Sequence, residues 1–139
     1  MNWIDGSIAI GNLIEANNVG LLRKENIDLI IDVRTAFDTN PHLEFLQRRN
    51  ILNYERAWKI SILLKSQYSL KAKVLVHCLE GIDRTPFIVM LYVAQKYGIS
   101  HKDAYHLVKQ RRPQTRFHWN WVEGFENFLV IQKPKKDSY

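Results

Sequence analysis

Between Lys73 and Tyr97 the chain reads KVLVHCLEGIDRTPFIVMLYVAQKY, and few architectures accommodate that order of residues. Val74, Leu75 and Val76 run directly into His77 and Cys78. A short, bounded apolar run of this kind predicts a buried strand. Leu79 to Asp83 then form a tight loop carrying Glu80, Gly81 and Asp83, and Pro86 to Ala94 are apolar without a break. That segment predicts a buried helix, with Pro86 in its first turn and Gly98 closing it. Strand, loop and helix N-terminus in this order predict an anion site. The first N–H groups of a helix have no partner within it, and its dipole favours negative charge there.

Cys78 and Arg84 stand six residues apart across that loop. The field that attracts an anion also favours a thiolate at the loop entrance. Arg84 offers a planar, permanently charged fork that can grip two phosphoryl oxygens at once. Gly81 lets the backbone turn inward without a side chain in the way. Thr85 puts a hydroxyl next to the sulfur, where it can donate to the thiolate and ease its later departure. A lone cysteine is ordinarily a buried, inert residue. Here a glycine, an arginine and a hydroxyl residue all fall at fixed offsets from it, between a strand and a helix, an arrangement that chance rarely supplies.

The rest of the chain supplies a setting. Its 139 residues, 46% hydrophobic and 24% charged, suit one domain over residues 1–132, with a basic, frayed tail over 133–139. One cysteine excludes an internal disulfide and fits a reducing compartment. No run is long enough for a membrane span, and MNWIDGS lacks the layout of a signal peptide, so the expectation is a soluble cytoplasmic protein. A net charge of +6 favours anionic partners without choosing among them. The excess falls late, at Lys96, Lys102, Lys109, Arg111, Arg112, Arg116, Lys133, Lys135 and Lys136. For Arg111, Arg112 and Arg116 a solvated helix face and a basic rim around a phosphate pocket both remain open.

Residues 7–11 predict a first strand entered through an Asp5-Gly6 turn, and 13–25 a helix capped by Asn12. A strand over 27–33, a short helix over 41–49, a short strand over 51–55 and a helix over 59–68 follow. Ser100 and Asp103 open a helix that Pro113 stops. A last helix carries Trp121, Val122, Phe125, Phe128 and Leu129 on one face. Such a stripe reads as core, although Trp119 and Trp121 could also stack bases. Alternating strands and helices predict an α/β fold, a small, mostly parallel central sheet of about four or five strands flanked by helices. His42, His101, His106 and His118 show no metal-ligand spacing, and the chemistry of the loop calls for no metal or other cofactor. His77 reads as a scaffold residue bonding to backbone near the loop.

His77-Cys78-x-x-Gly81-x-x-Arg84-Thr85 resembles the signature of cysteine-dependent phosphatases of the protein tyrosine/dual-specificity superfamily. The resemblance extends to Ile8-Ala9-Ile10-Gly11-Asn12, Ala16-Asn17, Leu21-Leu22 and Ile27 to Ile31, and to Arg112-Pro113 beyond the loop. It implies a dual-specificity phosphatase-like fold, Cys78 as nucleophile, and Leu79, Glu80, Gly81, Ile82, Asp83 and Arg84 as the phosphate-binding loop. Relatives usually carry a general-acid Asp about thirty residues before the cysteine, and this chain has Leu46 near that place. Three substitutes stand out: Asp38 on the loop after a strand, Glu55 before Arg56-Ala57-Trp58, and Asp83 inside the loop. The Asp83-Arg84-Thr85 order also resembles myotubularin-type phosphoinositide phosphatases. Gln114 resembles a water-positioning glutamine of tyrosine phosphatases, or is a plain loop residue.

The resemblance implies a protein phosphatase acting on phosphotyrosine, with phosphoserine and phosphothreonine as further substrates. Its partner would be a phosphorylated protein. RNA, for a 5′-phosphatase or triphosphatase, and phosphoinositides are the competing substrates. A phosphate-binding module without turnover is the non-enzymatic alternative.

Overall fold

The computed structural model describes residues 1–34 and 53–132. Within them, strands β1 (Asn2–Trp3), β2 (Ile8–Gly11), β3 (Leu29–Asp32) and β4 (Val74–His77) form one sheet in the order β1-β2-β4-β3. β2 and β3 both run parallel to β4, and β1 pairs antiparallel with β2. The expected mostly parallel sheet is present. The two-residue β1 is too short to leave a periodic signal in the sequence.

Period-two alternation divides the sheet between two cores. Ile8, Ile10, Val74 and Val76 face the larger one, while Ala9 and Leu75 meet Ala16, Leu22 and Ile27 on the opposite side. Coverage on both faces explains why β2 and β4 carry continuous apolar runs and are buried along their whole length.

Six helices surround the sheet among the described residues: α1 (Leu13–Ala16), α2 (Val19–Lys24), α3 (Tyr54–Ser69), α4 (Arg84–Tyr97), α5 (His101–Arg111) and α6 (Trp119–Gln132). α4 is the central one. Every residue from Thr85 to Ala94 is buried, with α3 and α5 packed along its flanks. A helix enclosed on all sides needs no polar face, hence the unbroken apolar run. Gly98, at φ 62°, ends it in the left-handed conformation. Phe87 meets Tyr105, Trp121 and Phe125 edge-on, which joins α4 to α5 and α6.

Two expected elements take another form. The helix expected over 13–25 breaks at Asn17 and Asn18, because the Asn18 side chain accepts the Leu21 N–H and starts α2 afresh. The strand expected over 51–55 gives way at its second half to α3, since the Asn53 side chain accepts the Arg56 N–H as an N-cap. The helix expected over 41–49, residues 51 and 52, Asp38 and the tail over 133–139 lie outside the described residues.

Asp5 fastens the β1–β2 turn to α4. Its carboxylate accepts the Ser7 and Ile8 N–H groups at 2.8 and 2.7 Å, the Tyr92 hydroxyl at 2.5 Å and the Lys96 ammonium at 3.0 Å. Burial works against its charge, but these bonds outweigh it and hold the carboxyl below its usual range. A depressed carboxyl stabilises the fold above its unfolded value, about pH 4, and that contribution disappears as pH falls through the lower folded value. Asp5→Asn should therefore cost about 2 kcal/mol near neutrality. In urea unfolding series at several pH values, the gap from wild type should shrink below about pH 4.

Candidate active site

β4 delivers His77 and Cys78 to the carboxyl edge of the sheet, where Gly11 of β2 and Asp32 of β3 lie opposite His77. That edge is where open α/β sheets place their sites. The loop from Cys78 to Asp83 then leads into α4 at Arg84.

Outside donors take five successive carbonyls of this loop. His77 Nδ1 meets the Cys78 carbonyl at 3.1 Å, and the Leu13 N–H donates to Leu79 at 3.0 Å. The Arg112 guanidinium donates to the Glu80 carbonyl at 3.1 Å and the Gly81 carbonyl at 2.6 Å. The Arg116 N–H reaches the Ile82 carbonyl at 2.8 Å. In a planar trans peptide a carbonyl and the next N–H point in opposite directions. Carbonyls drawn outward therefore leave N–H groups turned inward, the arrangement that binds anions. The Gly81 N–H is one of them and donates to Cys78 Sγ at 3.2 Å.

Gly81 sits at φ +71°, where a Cβ would lie 2.4 Å from the Gly11 carbonyl oxygen and 2.7 Å from Arg112 Nη2. Both the backbone conformation and the close approach require glycine. Thr85 departs from expectation: its hydroxyl is buried and without a hydrogen-bond partner among the described residues, so the expected bond to sulfur is not made.

Cys78 is only 3% exposed, yet it lines a pocket of about 500 Å³ together with Leu79, Glu80, Ile82, Asp83 and Arg84. Arg116, His118 and Trp121 complete the wall. The loop residues expected to bind phosphate are thus gathered at one cavity, Gly81 contributing its N–H from behind. Glu55 is not among them. It occupies the first turn of α3, exposed and paired with Lys59 at 3.2 Å. Gln114 lies in the exposed turn after α5, also outside the pocket wall.

Arg112 answers the question its sequence left open. It is 2% exposed and forms no part of a basic rim. Beyond its two loop carbonyls it donates to Asn2 Oδ1 at 2.7 Å and to the Ile10 carbonyl at 3.3 Å. Burial pulls its pKa down, opposed by the charges of Glu15 and Cys78.

Asp83 is held on two sides. Arg116 Nε and Nη2 donate to its two oxygens, each at 2.6 Å, and His118 Nε2 contacts Oδ1 at 2.7 Å. The Arg116 guanidinium, aided by His118, keeps the Asp83 carboxyl below the usual carboxylate range. A carboxylate so paired holds its charge near neutrality and has no proton to give, which argues against Asp83 as an acid. The His118 ring stacks on Trp121 with centroids 3.7 Å apart and planes 9° from parallel. α5 secures this segment, since Tyr105 accepts the His118 N–H at 3.3 Å and Lys109 donates to the Thr115 carbonyl at 2.6 Å.

Two further pairings were not among the sequence expectations. Arg34, just past β3, grips Asp32 with Nε at 3.0 Å and Nη2 at 2.6 Å. That pairing, with a smaller contribution from the charge of Cys78, raises the Arg34 pKa. Secondly, Asp83, Arg116 and His118 come together over more than thirty positions, and only the proximity of Arg116 and His118 to each other is visible locally.

Residues 10–127 match the family described as dual specificity phosphatase, catalytic domain. Among characterised proteins, the chain is 26% identical over 135 residues to dual specificity protein phosphatase 1B of Arabidopsis thaliana, covering 92% of this chain and 81% of that protein. It is 24% identical over 147 residues to dual specificity protein phosphatase Mpk3 of Drosophila melanogaster, covering 97% of this chain but only 36% of that protein. Among solved structures, human DUSP28 superposes with a TM-score of 0.69 at 15% identity, covering 93% of this chain and 94% of that one. A human tyrosine phosphatase-like serine/threonine/tyrosine-interacting protein gives 0.71 at 18% identity, over 94% and 96% of the two chains. At those identities the structures share the fold. No described helix is long and apolar enough to cross a membrane.

Proposed function

Because the chain belongs to the dual specificity phosphatase catalytic-domain family, we propose that it hydrolyses phosphomonoesters on phosphotyrosine proteins, and on phosphoserine and phosphothreonine, through a phosphocysteine intermediate. The observation that carries this reading is Cys78 Sγ, lining a cavity with Arg84 and accepting the Gly81 N–H, inside a loop whose carbonyls face away. In the first step Sγ attacks phosphorus, the S–P bond forms, and the ester P–O bond breaks. The inward N–H groups and Arg84 hold the equatorial oxygens, and that fixed electrostatic complement is the larger part of catalysis for a loose phosphoryl transfer. Water then attacks phosphorus, releasing inorganic phosphate and the thiolate.

RNA and phosphoinositides fit less well. The basic rim that would favour RNA is reduced, with Arg112 buried and Arg116 committed to Asp83. The phosphoinositide reading depends on Asp83 as a proton donor, and Asp83 is ion-paired.

Acid quenching of the protein during turnover of a phosphotyrosine peptide should leave phosphate on the peptide that contains Cys78. Phosphate release should also be measurable from matched phosphoserine and phosphothreonine peptides. Release without any Cys78-linked phosphate would overturn the intermediate. Release from an RNA 5′-triphosphate alone would overturn the substrate class.

A further inference from the structure

Expelling an alkoxide or phenolate from phosphorus requires a proton at the leaving oxygen. Among the described pocket residues, few can provide one. Asp83 is ionised and paired, and an arginine does not release its proton. Glu80 is exposed and belongs to the loop itself. His118 remains. It lies in the pocket wall, 24% exposed at its side chain, with Nε2 on Asp83 and its ring flat against Trp121.

We infer that His118, held by Asp83 and Trp121, is the proton donor to the leaving oxygen. This rests on the phosphatase reading above and names a group within the same site. The Asp83 carboxylate and the Trp121 indole face together fix the plane and the rotation of the ring. With Nε2 committed to Asp83, the transferable proton is the one on Nδ1. As Sγ bonds to phosphorus and the ester P–O bond breaks, that proton passes to the leaving oxygen, giving a neutral alcohol or phenol and a neutral imidazole. In the second half, water attacks phosphorus, the S–P bond breaks, and Nδ1 takes the proton of the attacking water. Inorganic phosphate leaves and the imidazolium is restored.

Arg116 has a part in this arrangement. By occupying both Asp83 oxygens it turns Oδ1 toward His118, and Tyr105 holds the His118 backbone in place. Asp83 and Arg116 are therefore positioning residues, acting through the imidazole rather than on substrate.

The test uses leaving-group dependence, which a merely structural role does not change. kcat/KM, which reports the first displacement, is measured for phenyl phosphate and for 4-nitrophenyl phosphate. Wild type, His118→Gln, His118→Asn, Asp83→Asn and Asp38→Asn are compared, with inhibition by inorganic phosphate as the check on an intact pocket. Phenolate is the poorer leaving group and needs the proton more. The His118 variants should lose about 100-fold on phenyl phosphate and at least tenfold less than that on 4-nitrophenyl phosphate. Asp83→Asn should follow the same pattern more weakly. Equal losses on both substrates, or no loss on phenyl phosphate, would overturn the assignment. So would a selective loss in Asp38→Asn with none in either His118 variant. A wild-type protein that hydrolyses neither ester would instead refute the phosphatase reading on which the assignment rests.

Discussion

Cys78→Ser protein is expected to hydrolyse an aryl phosphate at least about 10⁴-fold more slowly than wild type, while inorganic phosphate still binds within a few-fold of its wild-type affinity. The two halves of this expectation come from different atoms. On the proposed mechanism, turnover depends on a sulfur that attacks phosphorus as a thiolate and later departs as one, whereas a serine hydroxyl keeps its proton near neutrality. On the same proposal, anion affinity depends on the inward N–H groups and Arg84, which the substitution leaves in place. Steady-state rates and competitive inhibition by phosphate measure them separately. A serine variant retaining a tenth of the wild-type rate would remove the sulfur from the mechanism. Joint loss of rate and phosphate affinity would mean that the thiolate also organises the loop.

Arg112→Met should destabilise the fold by about 3–5 kcal/mol, a loss large for a surface-like KQRRP segment but expected for a buried cation with four acceptors. Removing the guanidinium strands the Glu80, Gly81 and Ile10 carbonyls and the Asn2 side chain without their donor. Arg112→Lys should recover little of the loss, because one ammonium cannot reproduce a planar fork bonding in several directions. Since two of the stranded carbonyls belong to the loop, phosphate affinity should fall together with stability. Denaturant midpoints and phosphate inhibition on the same preparations test both. A cost below about 1 kcal/mol would show that other donors replace Arg112.

The two arginines of Arg111-Arg112 illustrate what the sequence could and could not disclose. They are chemically identical neighbours in a basic run, yet Arg111 is exposed and Arg112 is sealed in the core. Only the direction of the last turn of α5, set by packing against the loop 31 residues earlier, separates them. The loop from Cys78 to Asp83 was legible for the opposite reason. Its parts lie within seven residues of one another, and each conformational demand, the positive φ at Gly81 included, is local. β4 and α4 were legible because complete burial leaves an uninterrupted apolar run. The break in the first helix had its signal in Asn17-Asn18, two capping residues in succession, outweighed by the apolar spacing around them. The partnership of Asp83 with Arg116 and His118 had no comparable signal, since long-range pairing obeys no fixed offset.

Arg112 spans 110 positions to Asn2 and 102 to Ile10 while carrying the loop at its centre. The anion cradle is consequently not a module that can assemble early from neighbouring residues. It closes only after both distant portions of the polypeptide have docked, which ranks it with the slow, non-local contacts of folding. By mass action, an oxyanion occupying the cradle withdraws molecules from the unfolded population. Substrate would thus act as a clamp on the whole tertiary structure, felt as far away as the first strand.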